Sequence, residues 1–274
     1  MANIGTQFRA LHQRGNPFVL VNVWDAGGAK LMAAAGAEAL GTSSAAHAFT
    51  LGRPDMGQVS RDEALAHAQD IVAATALPVS GDFENGFGDA PEEVAETVRL
   101  SAEIGLAGIS IEDTRMKDPG AYDFELAVER IKAAAAAARA LPNDFVLVAR
   151  ADGIMNGHYD QAEALRRIKA FDAAGADCLY APLPATPSDL AAICAATDKP
   201  VNALVAGPLY TSMSRADFAK MGVARISLGS SLARAVHQTF HDIGQEILRD
   251  GDFTGLGKIL PSSIADPIMT GGHQ

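Results

Sequence analysis

Cysteine is scarce in this chain: there are two in 274 residues, Cys178 and Cys194. Two thiols supply neither a disulfide framework nor a cysteine-based zinc site. Positive charge is scarce as well. Lys and Arg total 22 against 33 Asp and Glu, giving a formal net charge of −11. A nucleic-acid-binding face needs clustered Lys and Arg, and no such cluster occurs, so nucleic acid is excluded as a partner. Long apolar runs are missing too, each being broken by Gly, Asn or charge well short of the ~18 residues of a membrane span. The opening MANIGTQFRALHQRGNPF has no apolar core behind basic residues, so it does not read as a signal peptide. The expectation is a cytoplasmic protein without membrane contact. With 48% apolar and 20% charged residues, the chain can bury a full core.

Short β-rich runs alternate with Ala-rich helical runs throughout. The candidate strands are 18–25, 39–44, 79–84, 108–113, 145–152, 178–183, 201–206 and 224–229. Between them, segments such as PEEVAETVRLSAEIG and QAEALRRIKAFDAAG repeat apolar positions at helical spacing. The helix endings alternate strictly between glycine and proline: Gly36, Pro78, Gly105, Pro142, Gly175, Pro200, Gly222. Glycine suits a helix terminus that turns through positive φ. Eight β/α units with no break in composition favour a closed (β/α)8 TIM barrel over an open sheet, as one domain over 1–274. The segment from about 231 to 274 then forms a C-terminal helical extension.

A barrel of this kind carries its chemistry at the carboxyl ends of its strands. The third strand ends GDFENGFGD, where Asp82 and Glu84 are two apart and on a strand would point to one side. The fourth ends with Glu112 and Asp113, and the loop after the second carries Asp55. Carboxylates converging at neighbouring strand ends repel unless a cation lies between them. Oxygen ligands without Cys or clustered His suit Mg²⁺ or Mn²⁺. Asp82, Glu84 and Glu112 are therefore the candidate metal ligands, while Asp89, before Ala-Pro-Glu-Glu, reads as a helix cap.

Arg150 and Asp152 end the fifth strand. Arg150 is shaped either to hold a substrate carboxylate in bidentate fashion or to pair with one of the acids. Thr42, Ser43 and Ser44 end the second strand and offer hydroxyl and N–H groups to an anion. GSSLARA after the eighth strand either receives a phosphate or caps its helix. His158 is a loop residue near the rim, a substrate ligand or an ordinary surface histidine. Both cysteines read as packed apolar side chains. None of the seven lysines lies in a candidate strand, which excludes a Schiff-base aldolase built on this barrel. Neither a GxGxxG after a strand nor a GxxxxGK[ST] is present, so no nucleotide site is signalled.

In order, NVWDAGGAKL, GTSSAAHAFTLGRPD, GDFENGFGD, GISIEDT, VARADG and GVARISLGSS resemble the isocitrate lyase and phosphoenolpyruvate mutase superfamily over nearly the whole chain. The resemblance implies a (β/α)8 barrel in a homodimer or homotetramer that exchanges its last helix, for which LARAVHQTFHDIGQEILRDGD is the matching segment. It implies Mg²⁺ and a 2-oxo acid or related carboxylate substrate. By the same resemblance, Asp82, Glu84 and Glu112 match the metal-site carboxylates, Asp55 an orienting acid, and Ser43, Ser44 and Arg150 the substrate-carboxylate site. The short segment 114–124, TRMKDPGAYDF, departs from the lyases' Lys-Lys/Arg-Cys-Gly-His lid and from the mutases' Lys-x-Asn-Ser lid. The expected activity is Mg²⁺-dependent cleavage of a C–C bond beside a 2-oxo acid (or in a 2-hydroxy diacid) through a stabilised enolate, with catalytic Asp55, Arg150 and Glu112. The alternatives are a phosphonopyruvate hydrolase or phosphonomutase acting on a P–C bond, and a non-catalytic 2-oxo acid-binding protein.

Overall fold

The computed structural model describes residues 3–118 and 120–271. Pro119 of the short lid and residues 272–274 of the extension lie outside the described residues.

Eight parallel strands close into a barrel: β1 Phe18–Asn22, β2 Ala39–Gly41, β3 Val79–Asp82, β4 Gly108–Glu112, β5 Val146–Arg150, β6 Cys178–Tyr180, β7 Val201–Leu204 and β8 Arg225–Ser227. Each strand pairs with its sequence neighbours, and β1 closes the ring against β8 through Phe18↔Arg225 and Leu20↔Ser227. Each falls within an expected run, but all are shorter, because the last residues of those runs peel away into the loops that form the mouth. The four glycine helix endings all have positive φ, between 87° and 101°, which a Cβ would strain.

The core has two parts. Most of the buried apolar side chains lie between the barrel and its surrounding helices, with Leu40, Val79, Ile109, Leu147, Leu179 and Ile226 among them. A smaller cluster fills the barrel itself: Phe18, Leu20, Val146, Val148, Cys178 and Tyr180, closed from below by Phe8 of the N-terminal helix Ile4–Leu11. At the other end a short antiparallel hairpin, Thr114–Arg115 with Gly120–Ala121, follows β4.

The chain after β8 behaves differently. Helix Ser231–Asp250 buries only Ala233, and Phe240, Leu248, Phe253 and Ile259 stand exposed. Among the described residues, no helix is long and apolar enough to cross a membrane.

Candidate active site

The mouth is assembled from strand ends that lie far apart in sequence. Asn22, the last residue of β1, donates from Nδ2 to the Thr42 carbonyl at 2.6 Å. Its Oδ1 accepts from the N–H groups of Leu228 and Gly229 at 2.8 and 2.9 Å. One side chain thus ties three strand ends together and occupies the amides of the turn after β8. Helix Ser231–Asp250 begins without a side-chain cap, so the capping reading of GSSLARA does not describe that turn.

Thr42, Ser43 and Ser44 line a cavity of about 140 Å³ at this mouth, together with Asp55, Asp82 and Arg150. Ser43 caps the helix Ser44–Thr50 by accepting from Ala46 N–H at 3.3 Å. Ser44 donates its N–H and its hydroxyl to Asp82 Oδ2 at 3.0 and 3.1 Å. Asp82 Oδ1 receives Arg150 Nη1 at 2.7 Å and the Ser110 hydroxyl at 3.3 Å.

Arg150 is the hub of the site. Beyond Asp82, its Nη2 lies 3.0 Å from Glu112 Oε2, and Nε and Nη2 each meet a separate oxygen of Asp152 at 2.9 Å. Burial opposes its charge, but Asp152, Glu112 and Asp82 hold its pKa well above the ordinary arginine value. Of the two readings of Arg150, the ion pair is therefore present, with three acids at once. The guanidinium lies 5.1 Å from the centre of the Tyr180 ring, which lines the cavity floor. Glu112 is pushed well above the usual carboxylate range by burial first, then by the Asp152 charge.

Glu84 does not share the side of Asp82 by strand alternation. It lies two residues past the end of β3 with φ +44°, a left-handed backbone that redirects its side chain. Its Oε1 accepts from Gly57 N–H at 2.9 Å, while the buried Oε2 has no partner among the described residues. Burial raises its pKa to about 7, and the nearby charges of Asp55 and Asp82 add to the shift. Asp55 repeats the pattern: its Oδ1 is buried without a partner, and burial, with the Asp82 charge, raises its pKa. The turn carrying Glu84 is held from behind. Arg130 donates to the carbonyls of Gly88 and Asp89 at 2.6 Å each and also to that of Asn85.

Asp89 is not a helix cap. Ala90 holds that position, and Glu93 reaches back to its N–H at 2.9 Å, while Asp89 accepts from the Tyr122 hydroxyl at 2.6 Å. His158 is exposed and lines a separate crevice beside Arg115 and Arg166, so the structure does not bring it to the mouth. Asp113 is occupied by Arg167 and the Tyr159 hydroxyl at 2.9 and 2.7 Å. Sequence reading missed the roles of Asn22, Ser110 and Arg225. The available signal was a polar residue ending an apolar run, as in FVLVN, or inside one, as in VARIS.

A divalent cation can be tested against these donors. Among the described residues, no three His, Cys, Asp or Glu groups form a ready-made metal cage. Mg²⁺ does not require one, since it commonly binds through one or two carboxylates and completes its shell with water and substrate oxygens. The two unpartnered carboxylate oxygens, on either side of Asp82 in charge terms, are the donors such an ion needs. The residues fit.

The model of the phosphoenolpyruvate phosphomutase family matches residues 8–248. The chain belongs to that family. A solved lyase/mutase-type structure from Burkholderia cenocepacia J2315 shares 45% identity with a TM-score of 0.92, covering 97% of this chain and 95% of that one. The 2-methylisocitrate lyase of Escherichia coli K12 is 30% identical over 258 residues, 88% of this chain and 85% of its own. The phosphonopyruvate hydrolase of Variovorax sp. Pal2 is 29% identical over 220 residues, 76% of this chain and 74% of its own. As a member of the family, the chain shares its fold and its superfamily with enzymes that break C–C and P–C bonds.

Proposed function

We propose that this phosphomutase-family protein is a Mg²⁺-dependent lyase that breaks a C–C bond beside a 2-oxo acid. The observation that carries the reading is Asp55 Oδ1, a buried oxygen without a partner among the described residues, in one cavity with Arg150 and the Ser43–Ser44 turn. The equally unpartnered Oε2 of Glu84 lies outside that lining, but close enough for its carboxylate to feel Asp55, Asp82 and Arg150. The chemistry that Mg²⁺ would supply here is Lewis-acid polarisation of the 2-oxo group and stabilisation of negative charge on its oxygen. Glu84 would hold the ion through its Oε2, and Asp82 through the oxygen that now accepts from Ser44 or through water, with Glu112 acting through Arg150 or water. Ser43 and Ser44 form the turn that would receive the substrate carboxylate, Ser44 exchanging its contacts with Asp82 Oδ2 for it, with Thr42 and Arg150 completing the contact. Asp55 orients the substrate, and the Asp152 and Glu112 carboxylates keep Arg150 charged and fixed. Mn²⁺ has the same ligand preference and substitutes for Mg²⁺.

The short hairpin 114–121 carries no cysteine or histidine. This separates the chain from lyases that deliver a proton from a lid cysteine. We also read the protein as a homodimer or homotetramer, its exposed C-terminal apolar face covered by another subunit.

The test is a ³¹P and ¹H NMR time course with Mg²⁺ and oxaloacetate, phosphonopyruvate or branched 2-hydroxy diacids. Enzyme-dependent 2-oxo acid with no phosphorus change is the expected result. Asp82→Ala lowers that rate by about 10³-fold or more, the scale of losing a group that stabilises transition-state charge, and chelation of the metal abolishes it. A changed phosphorus signal would replace this reading with the P–C reaction. Ligand binding without product across the panel would leave a 2-oxo acid-binding protein.

A further inference from the structure

The cavity that opens between Ser43 and Arg150 does not stop at the mouth. Its walls continue downward through Leu20, Ser80, Tyr180, Leu204 and Ser227 to Arg225 on β8. Arg225 is 4% exposed, and among the described residues neither its Nε nor its Nη1 meets an acceptor. Two other groups in the barrel are in the same condition: the Ser80 hydroxyl, which lines this cavity, and Asn202 Oδ1, whose residue pairs with Arg225 across β7 and β8. A buried guanidinium without counter-charge is costly, and proteins seldom retain one unless something occupies the other side.

The groups around Arg225 do not balance it. Asp82 is the carboxylate whose charge it feels, yet Asp82 has one oxygen on Arg150 and Ser110 and the other on Ser44. Arg150 adds positive charge of the same sign. Below it, Phe8 lies 6.0 Å away, at the limit of a cation–π contact. His12 lends no charge, because burial and then Arg225 itself push its pKa down to about 3. The contrast with Arg150, met by three carboxylates, is complete within a single cavity.

The geometry points to a second binding site in this barrel: a buried pocket for one carboxylate-sized anion, held by Arg225 beneath the substrate mouth. Ser80 donates to the anion from its hydroxyl, and the guanidinium donates from Nε or Nη1, the two positions without an acceptor among the described residues. Two sources carry this chemistry. One is the second carboxylate of a substrate whose 2-oxo end lies at the mouth. The other is a free small anion such as a halide or formate that neutralises Arg225 in the resting protein. The site does not depend on which bond the protein breaks.

The experiment reads binding, so a failure of the proposed reaction leaves it interpretable. Crystals of the full chain are soaked in sodium bromide and the bromide is located by its anomalous signal. A peak against the Arg225 guanidinium supports the site; only water there, with bromide bound elsewhere, rejects the free-anion source. A second arm assigns the source by titrating oxaloacetate and pyruvate, with and without a second carboxylate, into wild type, Arg225→Lys and Arg225→Met. If the substrate tail fills the site, the preference for oxaloacetate falls by tenfold or more in Arg225→Met and is partly kept in Arg225→Lys. If the preference is unchanged while the bromide peak is present in wild type, the occupant is the small anion. An unchanged preference together with no bromide peak rejects the site on both arms.

Discussion

The barrel and the segment after it treat apolar and charged side chains in opposite ways. Within the barrel, even a charged residue such as Arg150 is enclosed, with 11% of its side chain exposed and three carboxylates around it. In the C-terminal helix, large apolar residues face outward, Phe240 at 80% and Leu248 at 89% exposure. Monomeric proteins seldom leave so continuous an apolar stretch uncovered. The barrel is complete as a folded unit and unfinished only where a ligand enters. The C-terminal segment returns to the barrel at its last helix, Ser262–Thr270, where Lys30 Nζ donates to the Met269 carbonyl at 2.7 Å. The stretch before it leaves its large apolar side chains open, the state expected of an element covered by another molecule.

The sharpest way to break the comparison is to remove the hub of the barrel. Arg150→Met leaves Asp82, Glu112 and Asp152 facing one another in a buried site, and should destabilise the protein by about 3–5 kcal/mol. Urea unfolding measures it, and a change below ~1 kcal/mol would mean that the three acids rearrange freely. The next test concerns the outer segment. Combining Phe240→Asp and Leu248→Asp should dissociate the assembly, each removing about 1.5–3 kcal/mol of apolar burial. Light scattering reads the mass, while an unchanged far-ultraviolet spectrum shows that the barrel is intact. A wild-type protein that is already monomeric would refute the covered face.

A smaller effect is written into the helix after β2. His47 and His67 stack at 3.8 Å with an interplanar angle of 5°. Burial, then the neighbouring His67, lowers the pKa of His47 from 6.5 to about 4. The unfolded chain therefore binds a proton between those values that the folded chain refuses, so stability falls as pH drops through that window. The loss from this group should reach about 2–3 kcal/mol. His47→Gln should remove that part while leaving the share of His12 and His67, which burial also holds below the ordinary histidine value. Denaturation midpoints across the window check it, and an equal slope in the variant would assign the loss to other groups. The smallest effect is expected at Arg249, which pairs with Asp250 at 2.6 Å on the open surface. Arg249→Met should leave the unfolding midpoint unchanged, in direct contrast to Arg150→Met.

Much of the fold was readable because it is local. A strand needs only a few residues of suitable pattern, and a glycine at a helix end is required by its own backbone. The candidate site was legible to the extent that strand ends are predictable places, which is how Thr42, Ser43, Asp82, Glu112 and Arg150 were found. Glu84 was located but misdirected, because strand alternation was extended past a turn that breaks it at φ +44°. Asp89 was assigned by proximity to a helix start, yet Tyr122, 33 residues away, claims its carboxylate. His158 was assigned by its place near the rim and faces another crevice. Asn22 and Arg225 went unnoticed because a single polar residue in an apolar run has no partner visible along the chain.

Chain order, spacing and composition by themselves established eight β/α units and the acidic strand ends. Those features rest on periodicity and backbone conformation, which neighbouring residues impose on one another. Barrel closure settled the rest: that one arginine gathers acids from three strand ends and that, among the described residues, one oxygen each of Asp55 and Glu84 and two nitrogens of Arg225 meet no partner. Such encounters depend on the tilt and stagger with which strands tens of residues apart meet around a common axis, and no local spacing records that geometry.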